Sequence, residues 1–440
     1  MKKRVISLFI CAAMMTALCG CGDKAETVPE PVLPDNGRVN PIEESKPEWE
    51  YTEEDGSVTV EAYNGKDAVV TVPAEIDGKP VKRLGYLFKI ENDTSTKLEL
   101  PAGLEYIPNG LGENITEIVV EEGGENFYSM DGMVFSKGYR YDMLSVCPQG
   151  KTGGITVPEG IGGIENFAFL DCSKITAVKI PESVLYIDGC AFTDCTALTS
   201  VNIPKEAAII KSGTFSGCTS LETLDIPETV TDIGAHAFEG TPFLQKLIEK
   251  DPFVVINGIL VDGTTLKGEV TIPDNIKKIA GSAFEPDYGK NTELKKVILH
   301  EGFAEVDYLA FENCAALEEV ILPKSIERIG GHAFDSCESL KSIKLPDGLK
   351  EIGMYAFNSC TGLTSADIPN GVTEIDMCAF RNCENLEHVS VPDSVVEIGL
   401  NNCFENCAKI NVTFKGKTYT AANIEEFYKA VEENKEKQKQ

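Results

Sequence analysis

The sequence predicts a mainly β repeat solenoid, a right-handed stack of coils with short strands, tight Ala-Phe turns and a 23-residue period. The first observation is a proline behind an aliphatic residue, which recurs in two runs at 23-residue steps: Pro158, Pro181, Pro204 and Pro227, then Pro323, Pro346, Pro369 and Pro392. The second is an apolar column six residues after this position: Ile164, Ile187, Ile210, Ile233, Ile279, Val306, Ile329, Ile352, Ile375 and Ile398. One coil cannot bury its own apolar face, so the coils must stack and each column must become an internal ladder.

Each repeat divides into four parts. A short strand such as residues 223–226 leads to a corner at the proline, a second extended piece ends at the Ile column, and a tight Ala-Phe turn follows. Gly or Asp comes directly after the Ile column, as in Gly234 and Gly330. We expect a turn with positive φ at that position, because Gly adopts this conformation without steric cost.

The N-terminus has the pattern of an exported protein. Three basic residues at positions 2–4 precede an apolar run over residues 5–18, which is typical of a signal peptide and too short to span a bilayer comfortably. The run ends in Leu18-Cys19-Gly20-Cys21, which resembles a bacterial lipobox. We therefore predict that residues 1–20 are removed and that Cys21 is the lipid attachment site, with a plain secretory signal cleaved nearby as the alternative.

Charge limits the partners of the chain. Its 40 Lys and Arg against 70 Asp and Glu give a net charge of −30, and loss of the three N-terminal positive charges makes this −33. A nucleic-acid partner is excluded, because binding phosphates requires a basic surface. Residues 21–48 combine prolines with acids and predict a solvated tether, so membrane contact is expected through the anchor alone.

Residues 49–415 form the predicted solenoid. A hairpin around Asp55-Gly56 is its expected N-terminal cap, and inserts at about 122–150 and 250–268 each contain a hairpin turn signal, Asp131-Gly132 and Asn257-Gly258. Residues 416–440 are the expected C-terminal cap, with a helix over residues 421–435 and a frayed tail from residue 432. Such caps cover strand edges that would otherwise promote aggregation.

Eight cysteines share one repeat column. Coils stack at about 4.8 Å, whereas the Cβ atoms of a disulfide are about 3.8 Å apart, so we predict a ladder of buried thiols. One cysteine per coil also gives no point of convergence for a metal, and no metal or other cofactor is predicted. The ladder comprises Cys172, Cys195, Cys218, Cys314, Cys337, Cys360, Cys383 and Cys407.

Histidines and catalytic motifs give no active-site prediction. His236 and His332 occupy the same column two residues before Phe, and His300 takes a proline position, so all three are interpreted as members of the repeat. The sequence contains no Gly-x-Ser-x-Gly elbow, HExxH or P-loop motif. We therefore predict no catalytic residues and a protein that is not an enzyme.

Aromatic residues give the one candidate binding surface. Phe127, Tyr128, Tyr139 and Tyr141 cluster in the first insert, and Tyr is favoured in binding surfaces, although half of the cluster could instead pack the hairpin onto the coils. Under the binding hypothesis, replacing Tyr139 and Tyr141 by Ser weakens partner binding without lowering the melting temperature.

The recurring unit Leu-x-x-Val-x-Ile-Pro-x-x-Val-x-x-Ile-Gly-x-x-Ala-Phe-x-x-Cys resembles the BspA-type leucine-rich repeat, the Treponema pallidum variety, over residues 57–415. This resemblance implies a leucine-rich-repeat stack in a bacterial cell-surface protein, and some members of the family are implicated in adhesion. The expected partner is a protein or glycan on host or bacterial surfaces. A structural spacer without a specific ligand and a glycan- or solute-capturing lipoprotein are the alternatives, since a fold alone does not establish a function.

Overall fold

The computed structural model describes residues 47–286, 289–399 and 402–438. They divide into an N-terminal unit, up to residue 138 together with 145–151, and a C-terminal unit of residues 139–144 and 152 onward. The predicted signal peptide, Cys21 and nearly all of the tether lie outside the described residues. In the described part of the chain, no helix combines the length and the apolar composition needed to cross a membrane.

The N-terminal unit begins with the predicted hairpin, whose turn residues Asp55 and Gly56 have φ of 50° and 76°. Its alternating residues such as Val58 and Val60 are buried, and a second hairpin turns at Asp131-Gly132 as predicted. The strands of this unit are β1 (Trp49–Glu54), β2 (Ser57–Tyr63), β3 (Val69–Thr71), β4 (Glu75–Ile76), β5 (Lys79–Ile90), β6 (Lys97–Leu100), β7 (Glu117–Val120), β8 (Phe127–Met130) and β9 (Met133–Ser136). The order β1-β2-β5-β4 makes one sheet and β3-β6-β7 another.

The C-terminal unit has two rows of parallel strands, as a stack of coils requires. The first row, which lies before the proline corner, consists of β11 (Gly153–Thr156), β13 (Ile175–Lys179), β15 (Ser200–Val201), β20 (Gly268–Thr271), β22 (Leu294–Ile298), β24 (Glu319–Ile321), β27 (Ser365–Asp367), β29 (His388–Ser390) and β31 (Asn411–Phe414). The second row carries the Ile column and follows residues 143–144 of β10 (Met143–Val146): β12 (Gly163–Ile164), β14 (Tyr186–Ile187), β16 (Ile209–Ile210), β17 (Asp232–Ile233), β21 (Lys278–Ile279), β23 (Glu305–Val306), β25 (Arg328–Ile329), β26 (Glu351–Ile352), β28 (Glu374–Ile375) and β30 (Glu397–Ile398). Neighbours pair 23 residues apart wherever the period is unbroken, for example Ile329 with Ile352.

The predicted columns are ladders of buried side chains. The Ile column is buried except for Ile398, which is half-buried. Phenylalanine rings stack at centroid distances of 4.7–6.1 Å from Phe169 to Phe238 and of 5.1–5.7 Å from Phe284 to Phe404. The solenoid prediction is therefore confirmed, with one interruption between the coils of Phe238 and Phe284.

The prediction of positive φ after the Ile column is wrong. A Cβ on Gly234 would lie 2.4 Å from the Ser212 nitrogen, and one on Gly330 would lie 2.8 Å from the Tyr308 nitrogen, so glycine is needed there for close packing of successive coils. The left-handed residue comes two positions later, where His332 has a φ of 54°. Its backbone N–H donates to the Met354 carbonyl of the next coil at 2.8 Å.

The interruption contains a hairpin and a helix. The hairpin pairs β18 (Val254–Ile256) with β19 (Ile259–Asp262) around Asn257-Gly258, as predicted. The helix α1 (Pro242–Lys250) was not predicted. It begins with proline in its first turn, and the Thr241 hydroxyl accepts from the Leu244 N–H at 3.1 Å, so both N-terminal signals of a helix are present.

The C-terminus continues from β31 into β32 (Lys417–Thr420), a 3₁₀ turn (Ala421–Asn423) and helix α2 (Ile424–Gln438). Phe427 packs against Phe404 and Phe414 at ring distances of 6.0 and 5.7 Å, and thereby covers the end of the phenylalanine ladder. The prediction of a frayed tail from residue 432 is wrong as far as Gln438. Asn434 is buried and donates to two backbone carbonyls at 2.9 and 2.8 Å, which fixes this last turn.

Candidate functional site

The thiol ladder lies in the core. All eight of its cysteines are buried, as are Cys147, Cys190, Cys378 and Cys403 outside the column. Where the ladder is regular, each S–H donates to a phenylalanine carbonyl of the preceding coil at 3.0–3.2 Å. Burial raises the pKa of the Cys314 and Cys360 thiols, so these groups are protonated core residues rather than nucleophiles.

The four predicted aromatic residues have different surroundings. Phe127 packs against the core of the N-terminal unit, and the Tyr128 ring stacks on Phe135 at 5.4 Å. Tyr141 lies 5.7 Å from the Tyr186 ring in the C-terminal unit. Tyr139 alone is fully exposed. The structure therefore leaves one of the four available as a free aromatic anchor.

The interruption of the C-terminal unit forms a groove of about 620 Å³. Helix α1 supplies Leu244 and Ile248 to its wall, β19 supplies Val261 and Asp262, and the turns on either side supply the rest. Ser282, which is 7 % exposed, lines this groove, and its buried hydroxyl has no hydrogen-bond partner among the described residues. The groove thus joins an apolar wall to a polar floor, a composition typical of ligand sites.

His236 lies in this groove between two carboxylates. Its Nδ1 is 2.7 Å from Glu239 Oε2, its Nε2 is 3.4 Å from Glu285 Oε2, and Glu285 also accepts from the Asn313 amide at 2.8 Å. Burial lowers the pKa of His236, but the hydrogen bonds and charges of the two glutamates outweigh it and raise the pKa to about 9. His236 is consequently protonated at neutral pH and neutralises part of the acidic floor.

A second cluster lies in the coils that follow. One ring nitrogen of His332 and one carboxylate oxygen each of Glu312 and Asp335 lie within 4.8 Å of one another. His332 Nδ1 is 2.8 Å from Asp335 Oδ2, and Asp335 Oδ1 accepts from the Asn358 amide at 2.8 Å. The Nε2 atom of His332 is buried and has no hydrogen-bond partner among the described residues.

Glu312 is the least compensated acid of this cluster. Its side chain is half-buried, and its carboxylate makes no hydrogen bond within the described part of the chain. Burial, together with the negative charges of Glu285 and Asp335, raises the pKa of Glu312 to about 8. Glu312 is therefore mostly protonated at neutral pH, because burial and the neighbouring carboxylates disfavour its charged form.

Comparison with known proteins decides the family. A family model described as the BspA type leucine rich repeat region matches six copies over residues 149–258, 262–361 and 287–411, which is more than half of the chain. The chain belongs to the BspA-type leucine-rich-repeat family. No curated protein matches it.

Several solved structures are similar to this BspA-type chain. A leucine rich cell surface protein from Faecalibacterium prausnitzii A2-165 is 22 % identical, with 88 % of this chain and 96 % of that chain covered and a TM-score of 0.37. The pneumococcal vaccine antigen PcpA is 16 % identical, with coverages of 84 % and 86 % and a TM-score of 0.35. The T. pallidum leucine rich repeat protein is 19 % identical, with coverages of 67 % and 89 % and a TM-score of 0.20.

The acid–histidine residues arise from the BspA-type repeat itself. The residue after the column phenylalanine is Leu, Thr or Ser in the coils of Phe169, Phe192 and Phe215, and becomes an acid in four successive Ala-Phe units, at Glu239, Glu285, Glu312 and Asp335. Two of these units read His-Ala-Phe-acid. The interpretation of His236 and His332 as repeat members considered the histidine column alone. The signal that predicts the clusters is the histidine column together with the acid column three residues later.

Proposed function

We propose that this chain is a lipid-anchored binding and adhesion module of the bacterial cell surface, and that its protein partner places a basic side chain in the groove beneath α1. The anchor and the location rest on the N-terminal basic residues, the apolar run and Cys21. Binding rather than catalysis is what a leucine-rich-repeat solenoid typically provides.

The groove is the observation that carries the proposal. Glu239, Glu285 and Asp262 bring three carboxylates to it, whereas His236 brings one positive charge. A lysine or arginine can lay its aliphatic stem along the apolar wall and its charged head against the carboxylates. The unpartnered hydroxyl of Ser282 adds an acceptor that such a head group can use.

A small cationic solute is the second candidate ligand, because carboxylates clustered in a cleft are what a solute-capturing lipoprotein needs. The two candidates differ in size. A protein partner also contacts the surface around the groove, whereas a solute of the groove's volume does not. A structural spacer, the remaining alternative, would bind neither ligand saturably.

The test is binding of the chain from residue 22 onward to a panel of matrix proteins, glycans and bacterial surfaces, repeated with lysine-rich peptides and small diamines. We expect a saturable protein partner whose affinity falls at least tenfold in Glu285→Gln and in Leu244→Lys, because the first removes a carboxylate and the second adds a competing cation at the wall. The matched control is Glu384→Gln at an exposed acid. Equal binding by all variants would remove the groove from the proposal.

Tyr139 is a second candidate contact within the same function. Its ring is fully exposed, and an exposed tyrosine is a favoured anchor in interfaces. Tyr139→Ser should weaken partner binding without changing the melting temperature. Tyr141→Ser does not test binding alone, because Tyr141 packs on Tyr186 and its loss also affects stability.

A further inference from the structure

The columns of residues that line the groove continue into the coils that follow it. Glu285 of the groove is succeeded in the same repeat position by Glu312 and Asp335, and Gly281 is succeeded by Tyr308. These coils are in contact, because a Cβ on Gly281 would lie 2.8 Å from the Tyr308 carbonyl oxygen. The acidic floor of the groove therefore extends along the same face of the stack.

Two features of this face indicate a basic ligand. The buried hydroxyl of Ser282 lines the groove and has no hydrogen-bond partner among the described residues, so it can accept a hydrogen bond from a ligand. Four successive Ala-Phe units also place a carboxylate on this face, and the positive charge of His236 is engaged by the first two of them. The third and fourth carboxylates belong to Glu312 and Asp335.

We propose that the protein partner docks an extended segment along this face and that the segment carries two basic residues separated by one residue. The first basic side chain lies in the groove, and the second lies beside Tyr308, Glu312 and Asp335. This inference rests on the proposed function, since it adds a second contact for the same partner.

Tyr308 supplies an aromatic surface at the second position. Its side chain is 46 % exposed, and a Cβ on Gly331 would lie 3.4 Å from ring atom Cδ2, so the ring lies against the backbone of the next coil. Burial and, after it, the charges of Glu312 and Asp335 raise the pKa of the Tyr308 hydroxyl, which places these acids close to the ring. Lysine and arginine cations bind tyrosine rings within about 6 Å of the centroid, and nearby carboxylates strengthen the attraction.

The stacking of the coils sets the spacing of the two basic residues. Glu312 follows Glu285 by one coil and Asp335 follows it by two, which corresponds to about 5–10 Å along the stack. Residues two apart in an extended segment lie on the same side of the segment, about 6.6 Å from each other. Adjacent residues point to opposite sides, so a basic pair without an intervening residue cannot make both contacts.

Glu312 should make the second contact dependent on pH. Burial and the charges of Glu285 and Asp335 raise the pKa of Glu312 to about 8, so a cation that docks beside it at neutral pH must displace a proton. The second contact is therefore weaker below pH 8 than above it. Among the described residues, the titratable groups around Glu312 are His236, Glu285, Tyr308, Cys314, His332 and Asp335.

The experiment measures the binding of three dye-labelled peptides to the full chain by fluorescence anisotropy at pH 8.5. One peptide has two lysines separated by one serine, the second has the same composition with the lysines adjacent, and the third has a single lysine. We expect the separated pair to bind at least about fivefold more tightly than the adjacent pair, which carries the same charge, and than the single lysine.

Two variants test the position of the second contact. Tyr308→Leu removes the ring and Glu312→Gln removes the carboxylate, so each should reduce the preference for the separated pair to less than about twofold. Tyr86→Leu, at an exposed tyrosine of the N-terminal unit, and Glu384→Gln should keep the preference. The preference of the wild type should also fall as the pH is lowered from 8.5 to 6.5, and Glu312→Gln should lack this change.

The possible failures are distinguishable. If none of the three peptides binds saturably, or if Glu285→Gln leaves binding of the single lysine unchanged, the proposed function fails and this inference fails with it. Saturable binding without a preference for the separated pair would overturn this inference alone. A preference that persists in both Tyr308→Leu and Glu312→Gln would also overturn it, because the second basic residue would then lie elsewhere.

Discussion

The coil of His236 and the coil of His332 share the four-residue turn His-Ala-Phe-acid, and the stack gives the two turns different surroundings. In both turns Nδ1 lies beside the acid three residues later, at 2.7 and 2.8 Å. The coil after His236 presents Glu285 to its second nitrogen, whereas the coil after His332 presents Asn358 to the acid of the turn. The residue in the next coil therefore determines whether this local motif places the histidine between two carboxylates or beside one.

The cores beneath the two turns also differ. Phe334 stacks between Phe311 and Phe357 at 5.3 Å on both sides. Among the described residues, Phe238 has a stacked neighbour on one side only, Phe215 at 6.1 Å, and it meets Phe243 of α1 edge-on at 5.3 Å. At the interruption, an edge contact with Phe243 therefore takes the place of one stacked ring. The phenylalanine ladder is less regular beside the groove for this reason.

The largest expected effect comes from removing these rings. Phe334→Ala should lower the free energy of unfolding by about 4 kcal/mol, because a fully buried aromatic ring is lost and leaves a cavity. Phe238→Ala should cost about 1 kcal/mol less, since it loses one stacked pair rather than two. Urea unfolding followed by circular dichroism measures both, with exposed Tyr139→Ala as the control. A greater loss in Phe238→Ala would contradict the comparison.

The next effect concerns the two histidines. His236→Gln should lower the free energy of unfolding at pH 7 by about 3 kcal/mol, because it leaves the nearly buried Glu285 and the largely buried Glu239 without their positive partner. His332→Gln should cost about 1 kcal/mol, the contribution of one hydrogen bond. The same unfolding measurement compares the two, and equal losses would remove the distinction between the buried ion pair of His236 and the single hydrogen bond of His332.

The pH dependence distinguishes the two histidines further. The folded pKa of His236 is about 9, above its ordinary value, so its stabilisation is complete below about pH 6.5 and is lost as the pH rises to 9. The wild type and His332→Gln should both lose stability across this window, whereas His236→Gln should lack this component. A slope between pH 6.5 and 9 that is unchanged in His236→Gln would show that another group causes it.

The regular coils could be predicted from the sequence because their determinants repeat. A column such as Ile329 and Ile352 is a set of identical residues at one spacing, and stacking is the one arrangement that buries all of them. The hairpins at Asp131-Gly132 and Asn257-Gly258 followed from turn chemistry in the same way. The sequence therefore predicts features that recur at a fixed spacing and features that depend on two adjacent residues.

The site was not predicted because its determinants lie in different coils. Helix α1 occupies one missing coil and has no second copy to reveal it, although Thr241 and Pro242 mark its start. The meeting of Glu312 with His332 depends on register across the stack, and that register becomes certain only once the left-handed turn is placed two residues after the glycine. Among the described residues the Nε2 atom of His332 has no hydrogen-bond partner, and the sequence of a single repeat does not contain that information.

The smallest effect is a gain in stability. The pKa of Glu312 is raised to about 8, so its charged form opposes folding and the protein loses stability as the pH rises from about 4.5 to 8. At pH 9, Glu312→Gln should therefore be about 1 kcal/mol more stable than the wild type by urea unfolding, with Glu384→Gln unchanged. A variant that is less stable than the wild type at pH 9 would mean that Glu312 contributes a stabilising contact, and the cost attributed to its buried charge would then be absent.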